Sequence, residues 1–218
     1  MTPPEWRVAF FRTTLFPMTS VDSTSAVHRI DEASADAAFA TILLAFVNDP
    51  ATRWTWPHAA DYLRNMPLLA RAFGQKSFAL GTADGIDRVA GVALWLPPGV
   101  SSDEEALGGL IERTIPASIQ QDAASVFERM ASFHPHEPHW YLPLIAVDPA
   151  CQGQRLGDKL MMHALARCDA DGKPAYLESS NPRNLSFYQR HGFEALGKIQ
   201  AGSSPTIVPM LRKPRQSR

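Results

Sequence analysis

A short loop from Gln152 to Gly157 offers the first chemistry in the sequence. It follows a nearly unbroken apolar run at residues 140–147, which is typical of a buried strand, and it precedes a stretch with helical spacing. The first amides of a helix have no internal acceptor, and the helix dipole favours negative charge there. The loop is therefore suited to bind a pyrophosphate. It lacks the third glycine of a dinucleotide fingerprint and the Gly-Lys-Ser/Thr ending of a P-loop.

A second group of candidate residues lies around the next predicted strand, residues 175–179. That strand carries Glu178, and the segment from Asn181 to Phe193 carries Tyr188. A phenol is protonated at neutral pH and can act as a general acid, whereas a carboxylate can act as a base. Tyr188 also fits core packing beside Phe193, and Glu178 also fits a structural role as partner of an amide or an arginine.

Together the two stretches resemble the GCN5-related N-acetyltransferase (GNAT) superfamily. Its loop pattern is Gln/Arg-x-x-Gly-x-Gly/Ala, followed downstream by Asn-x-x-Ala/Ser-x-x-Phe-Tyr-x-x-x-Gly-Phe, and this chain has close variants of both. The resemblance is firm over residues 140–212 and looser over 27–96. Shorter segments, at 50–53, 137–142, 177–185 and 210–214, are similar to the puromycin N-acetyltransferase branch. A branch does not fix a substrate.

The resemblance implies an acyltransferase that moves the acetyl group of acetyl-CoA, its cosubstrate, directly to a primary amine of a small molecule. Antibiotic-, aminonucleoside- and amino-acid-like acceptors all fit. Tyr188 would protonate the departing thiolate, and Glu178 would be the candidate base. No metal and no covalent intermediate are needed. The residues implied to bind the cofactor arm and pyrophosphate are Ile145, Ala146, Val147, Gln152, Gly153, Gln154, Arg155, Leu156, Gly157, Asp158 and Asn184.

Two positions depart from the superfamily pattern. Arg155 stands where the loop pattern has its internal glycine, so a side chain could hinder phosphate approach or add a guanidinium contact. Tyr141 stands where histone-type members carry a glutamate on the central strand. The amine must still lose a proton, so either Glu178 or water would carry it.

The acceptor side is expected to involve Trp54, Trp56 and Tyr141. The bulky apolar segment 100–137 favours a covered pocket over the open groove that a peptide needs. Two alternatives stay open: a protein or peptide N-acetyltransferase, and a non-catalytic acyl-CoA-binding sensor, which Arg155 and the missing strand glutamate would suit.

Two other features, a histidine string and a cysteine, have weaker support as functional sites. His134, His136 and His139 form an HxHxxH string, but no cysteine or acidic helix motif supports a metal site. Cys151 lies beside the loop, yet no histidine is paired with it in the sequence to activate it for covalent catalysis.

The periodicity predicts an α/β fold with a mixed sheet, and the resemblance implies the GNAT sheet of six to seven strands with splayed parallel strands 4 and 5. Strands are predicted at 27–30, 76–82, 89–96, 140–147, 175–179, 193–199 and 206–211, with a turn at 83–87. Helices are predicted at 37–47, 61–73, 103–113, 119–132, 156–168 and 183–190, and a loop at 51–57. Pro143 predicts a bulge in its strand.

Composition indicates one ordinary globular domain, predicted at 26–214, after a disordered leader or gene-model extension at 1–25 and before a basic tail at 215–218. The net charge of −1 argues against a nucleic-acid or membrane partner. Two cysteines without metal spacing fit a cytoplasmic protein. No apolar run approaches the roughly 20 residues that span a bilayer. Dimers are common in the superfamily, so a homodimer is an open expectation.

Overall fold

Seven strands form one mixed sheet in the computed structural model, which describes residues 26–215. The strands are β1 (His28–Arg29), β2 (Ala83–Ile86), β3 (Gly91–Leu96), β4 (Trp140–Val147), β5 (Ala175–Ser179), β6 (Glu194–Ala195) and β7 (Val208–Arg212). Their order across the sheet is β1-β2-β3-β4-β5-β7-β6. Only β4 and β5 pair in parallel, as the strand–helix–strand pattern predicts, and the other pairs are antiparallel.

Eight α-helices accompany the sheet in the described range. They are α1 (Ala35–Ala45), α2 (Pro50–Thr55), α3 (Ala59–Gly74), α4 (Lys76–Ala79), α5 (Glu104–Thr114), α6 (Gln120–Phe133), α7 (Leu156–Ala170) and α8 (Leu185–Arg190). None of these helices is long and apolar enough to cross a membrane. The predicted leader, residues 1–25, and the tail beyond residue 215 lie outside the described residues.

Alternate side chains of the central strands build a core on each face of the sheet. On β3, Ala93 and Trp95 pack with α7, whereas Val92 and Leu94 pack with α1 and α3. This alternation is the period of two that a strand imposes on its side chains. The fold class and the seven-stranded mixed sheet predicted from the sequence are confirmed.

Strands β4 and β5 separate soon after they meet. Their pairing covers only Trp140 with Ala175 and Tyr141 with Tyr176. On its other edge β4 changes register between Tyr141 and Leu144, around Pro143, which confirms the predicted bulge. Proline has no N–H for a ladder hydrogen bond, which explains the irregular pairing at Pro143. From this point the edge of β4 that faces β5 has backbone groups free for another partner.

The predicted strand at 76–82 and turn at 83–87 are wrong. Residues Lys76–Ala79 form helix α4, and Ala83–Ile86 form the strand that pairs with both β1 and β3. The turn-like composition of β2 has structural reasons. Buried Asp84 pairs with Arg167 at 3.1 Å, and a Cβ at Gly85 would stand 2.7 Å from the side chain of Ile30. The reversal of the chain comes later, where Asp87, Arg88 and Val89 adopt positive φ.

Two further local predictions need correction. The predicted loop at 51–57 is largely helix α2, because Asp49 accepts hydrogen bonds from the first amides and Pro50 occupies the first turn. The predicted strand at 193–199 is reduced to Glu194–Ala195 and a single bridge between Ile199 and Ile207. The closing strands are antiparallel as predicted.

Candidate active site

A cleft of about 530 Å³ opens where β4 and β5 separate, and we call it the strand cleft. Its walls come from the end of α1, from β4 and β5, and from the starts of α7 and α8. Among the residues predicted to bind a cofactor, those that line it are Ile145, Ala146, Val147, Gln152, Gly157 and Asn184. Tyr188 and Glu178, the predicted acid and base, line it as well.

The other predicted cofactor residues lie in or behind the loop that precedes α7. Gly153, Gln154 and Arg155 are exposed, and Leu156 is buried in the core beneath them. Asp158, in the first turn of α7, lies 3.0 Å from His191 Nε2. These residues therefore surround the start of α7 without lining the strand cleft by their side chains.

Arg155 is the N-cap of α7 and adopts a left-handed conformation, with φ 63° and ψ 18°. A residue with a Cβ tolerates that conformation at a cost of about 1–3 kcal/mol, and glycine avoids the cost. Arg155 therefore adopts the backbone conformation that a glycine would have at this position of the loop pattern. Its guanidinium points into solvent, 3.6 Å from Asp158 Oδ2, and does not fill the strand cleft.

Gly157 brings the helix start close to its neighbours. A Cβ there would lie 3.5 Å from the ring of Phe187 and 3.9 Å from Val147. Both distances are ordinary van der Waals contacts, and Gly157 itself lines the strand cleft.

Tyr188 projects from α8 and is buried, with its ring against Phe187 and Phe193 at centroid distances of 5.2 and 6.1 Å. Burial raises the pKa of the phenol, and the nearby charge of Asp49 raises it further. The hydroxyl therefore keeps its proton at neutral pH and can donate it to a strongly basic group.

Asp49 was not among the residues predicted from the sequence. It is 5% exposed and lines the strand cleft. One carboxylate oxygen accepts from the amides of Ala51 and Thr52 at 3.0 and 3.1 Å, and the other accepts from Ser180 Oγ at 2.6 Å. Burial is the main cause that raises the pKa of Asp49, against these hydrogen bonds. The Asp-Pro pair that starts α2 was the available signal, since it marks a helix cap.

Glu178 lies on β5, and its side chain is 6% exposed. Its neighbours are aromatic: His134 Nδ1 lies 3.8 Å from Oε1, and the Tyr141 hydroxyl is close enough that the carboxylate helps burial to raise the pKa of Tyr141. Tyr141 is therefore a protonated phenol and cannot replace a strand glutamate as base. Unlike Asp49, Glu178 caps no helix, and the polar groups beside its carboxylate are the hydroxyls of Tyr141 and Tyr176 and the ring of His134.

A second, smaller cavity of about 130 Å³ lies between the helices and the sheet, and we call it the helix cavity. Helices α2, α3, α5 and α6 contribute half of the residues that line it, and most of the lining is apolar or aromatic. The predicted acceptor residues Trp54, Trp56 and Tyr141 all line it. Trp54 Nε1 donates to Ser203 Oγ at 3.2 Å and Trp56 Nε1 donates to Thr114 Oγ1 at 3.1 Å, so neither indole N–H needs a ligand.

The two cavities meet at one wall. The residues that line both are Phe46, Asp49, Pro143, Glu178 and Ser180. The only charged side chains that line the helix cavity are the two carboxylates of this wall, and no lysine, arginine or histidine lines it among the described residues. The wall therefore attracts a cation from the helix cavity and faces Tyr188 across the strand cleft.

The remaining candidates lie away from both cavities. His134 and His139 contact each other, whereas His136 is exposed. Among the described residues, no group of three or more His, Cys, Asp or Glu side chains is arranged to hold a metal ion. Cys151 and Cys168 are free thiols, and Cys151 packs beside the core under α7.

Comparison with known proteins assigns the chain to a family of enzymes. The family model described as the acetyltransferase (GNAT) family matches residues 45–193, more than half of the chain. An uncharacterized N-acetyltransferase of Schizosaccharomyces pombe is 25% identical over 213 residues, covering 87% of this chain and 83% of that protein.

Solved structures give the same result. The histone acetyltransferase HPA2 and related acetyltransferase from Corynebacterium glutamicum is 27% identical, with a TM-score of 0.63 and coverage of 88% of this chain and 98% of that one. Arylalkylamine N-acetyltransferase 2 from Aedes aegypti has a TM-score of 0.60 at 12% identity and covers 88% and 100%. The second likeness concerns the fold alone.

Proposed function

The chain belongs to the GNAT acetyltransferase family, and we propose that it transfers the acetyl group of acetyl-CoA to the primary amine of a small molecule with an apolar body. The family membership confirms the superfamily resemblance of the sequence, and the puromycin-like branch stays a prediction. One observation supports the specific proposal most strongly. The strand cleft and the helix cavity meet at Asp49, Glu178 and Ser180, where an amine and a thioester could touch.

The strand cleft suits acetyl-CoA. Its volume of about 530 Å³ holds an elongated ligand, and the unpaired edge of β4 at Ile145–Val147 offers backbone groups to an amide-containing arm. Amides at the start of α7 would bind the pyrophosphate, and Asn184 would bond the arm. Acetyl-CoA then supplies an activated acetyl thioester, with its sulfur near Tyr188.

Two carboxylates of the shared wall and Tyr188, which lines the strand cleft, would each carry one part of the reaction. Asp49 would hold the substrate ammonium by charge, because both of its oxygens already bind the protein and fix its position. Glu178 would take one proton and leave a free amine, whose lone pair forms the new C–N bond. The C–S bond then breaks, and Tyr188 gives its proton to the thiolate, while a further proton from the former amine restores the phenol.

The lining of the helix cavity supports the choice of an apolar amine. Aromatic walls such as Trp54, Trp56 and Phe127 favour an apolar body, and the two carboxylates favour one ammonium group at the wall. A substrate carboxylate would have no cation to bind in this cavity. The second ammonium group of a diamine would have to lose its water among apolar side chains.

An amine panel tests this proposal directly. The purified protein with acetyl-CoA is offered phenylalkylamines, an aromatic amino acid, its methyl ester, a polyamine and a lysine peptide, and free thiol and acetylated product are measured. We expect the arylalkylamine and the ester to react at least tenfold faster, by kcat/KM, than the free amino acid and the polyamine. Preferred turnover of the peptide would instead support a protein acetyltransferase.

Absence of turnover across the panel would contradict the proposed function. If acetyl-CoA still bound tightly in calorimetry, the protein would then be an acyl-CoA-binding sensor. The proposal includes a cytoplasmic location, which fits the two free thiols. Light scattering would test whether the protein forms a homodimer.

A further inference from the structure

Two histidines lie near Glu178 and line neither cavity, and the proposed function does not use them. His134 follows the last residue of α6, and His139 precedes β4. His134 Nδ1 is 3.8 Å from Glu178 Oε1, and His134 Nε2 is 3.0 Å from His139 Nε2. The side chain of His134 is 38% exposed, so the pair links a buried carboxylate to the surface.

The hydrogen bonds of the pair define where its protons are. His139 Nδ1 lies 2.8 Å from the carbonyl oxygen of Glu137, which can only accept, so Nδ1 carries a proton. In a neutral His139 the Nε2 atom then has a lone pair, and it accepts from His134 Nε2. A neutral His134 that is protonated on Nε2 presents the lone pair of Nδ1 toward Glu178. Each imidazole in the series can therefore accept a proton at one nitrogen and release one from the other.

The surroundings keep His139 neutral and pack against His134. Burial is the main cause that lowers the pKa of His139, so its imidazole is uncharged at neutral pH. The rings of Tyr141 and Tyr176 stand edge-on to His134 at 5.0 and 4.9 Å, and burial together with the charge of Glu178 raises the pKa of both phenols. The titratable groups that face the pair are thus two carboxylates, of Glu178 and Glu137, and two phenols that keep their protons.

We propose that His134 and His139 form a proton exit from Glu178 to solvent. The proposal rests on the proposed function. After Glu178 has taken a proton from the ammonium, its carboxyl O–H bond breaks and a new N–H bond forms at His134 Nδ1. The Nε2 proton of His134 moves to His139 Nε2, and the Nδ1 proton of His139 leaves its hydrogen bond with the Glu137 carbonyl and passes to water. Exchange with water then returns both imidazoles to their starting tautomers. One proton leaves for each acetyl group transferred, and nothing is oxidised or reduced.

A set of glutamine variants tests the exit. His134→Gln and His139→Gln are compared with His136→Gln, which removes an exposed histidine from the same segment. We expect kcat of the first two to fall about tenfold or more, which is less than the roughly 10²- to 10⁴-fold contribution of a group that exchanges a proton with the substrate, while the KM for acetyl-CoA stays the same. In His139→Gln the acid limb of the pH–rate profile moves to lower pH, because a histidine that blocks the path once it is protonated has been removed.

Two controls separate this role from a structural one. Because the histidines act in series, kcat of the double variant is no lower than kcat of the less active single variant. Two independent packing defects would instead have additive effects on the free energy. Exogenous imidazole partly restores formation of the acetylated product in His134→Ala, with the melting temperature of each variant measured alongside.

Wild-type activity with unchanged kcat and pH profile in both variants would overturn the proton exit alone. So would a loss of activity that imidazole does not restore and that follows the loss of thermal stability. A wild-type protein without any acetyl transfer would instead overturn the proposed function on which the exit depends.

Discussion

At the scale of single residues, the proposed chemistry depends on three side chains around one wall, and the sequence revealed two of them. Tyr188 and Glu178 belong to local motifs, so their neighbours in the chain identify them. Asp49 contacts Ser180 across 131 positions, and nothing near it in the sequence announces that contact. The Asp49-Pro50 pair indicates a helix cap, but the hydrogen bond that Asp49 accepts from Ser180 forms only when α2 packs against the sheet.

Replacing Tyr188 by Phe removes the proton donor and keeps the ring. We expect kcat to fall about 10²-fold, because a general acid contributes at least that much, and the KM for acetyl-CoA to change little. Steady-state kinetics with thiol detection measures both constants. A variant that kept full kcat would show that the thiolate leaves without help from the phenol.

Replacing Asp49 by Asn should act on amine binding more than on turnover. Asparagine can still cap α2, but it loses the charge that attracts the ammonium, so the KM for the amine should rise about 10- to 100-fold. Because burial raises the pKa of Asp49 above its ordinary 3.8, wild-type amine binding should weaken as the pH falls through that raised value. The variant should lack this pH dependence.

Glu178→Gln is the matched comparison, since it should lower kcat and leave the KM for the amine nearly unchanged. If Asp49→Asn lowered kcat instead and Glu178→Gln did not, the roles of the two carboxylates would be exchanged.

At the scale of elements, tertiary contacts decided what local patterns left ambiguous. Strands β4 and β5 and helix α7 have clear apolar patterns, and the sequence predicted their bounds closely. Strand β2 looked like a turn because Asp84 and Gly85 suit turns, yet an ion pair with Arg167 and close packing on Ile30 explain both residues. These contacts join elements that are distant in the chain, so the local sequence around β2 does not indicate them.

An ion pair between Arg212 and Asp169 connects strand β7 to helix α7. Arg212 of β7 is almost fully buried and donates to both oxygens of Asp169 at 2.7 and 2.8 Å. Asp169→Asn leaves the guanidinium buried with its charge unbalanced, so we expect a loss of about 3 kcal/mol in the free energy of unfolding. Denaturant titration measures it, with Asp36→Asn as control, since Asp36 is 93% exposed and its ion pair should contribute little.

The same pair should respond to pH. The hydrogen bond from Arg212 is the main cause that lowers the pKa of Asp169 below its ordinary 3.8. Its stabilisation is therefore complete above that ordinary value and is lost as the pH falls through the lowered one. The difference between wild type and Asp169→Asn should shrink in this acid range, and a constant difference would argue against the ion pair.

At the scale of the whole molecule, the two halves of the candidate site differ in how far sequence could predict them. The strand cleft is made largely by consecutive segments, 140–157 and 175–188, which carry the family pattern. The helix cavity is assembled from two pairs of helices, α2 with α3 and α5 with α6, and strands β2 and β3 separate the two pairs in the chain. The sequence could indicate a covered pocket from the bulk of residues 100–137, but not its shape or its charge.

Filling the helix cavity should separate its role from that of the strand cleft. Ala123 is buried on α6 and lines the helix cavity, whereas its neighbour Ala124 is exposed. In Ala123→Met we expect the KM for a phenylalkylamine to rise about 10- to 100-fold and the KM for acetyl-CoA to stay constant. Ala124→Met should behave as wild type. Equal effects on both Michaelis constants would place the acceptor elsewhere.

The wall shared by the two cavities also bears on inhibitor design. A compound that joined an arylalkylamine to the sulfur of coenzyme A through a two-carbon bridge could occupy both cavities at once. It would lose translational and rotational freedom only once, and the bound half would hold the other at a high effective concentration. Such a compound would bind far more tightly than either half, and its affinity would measure how well the two cavities are aligned.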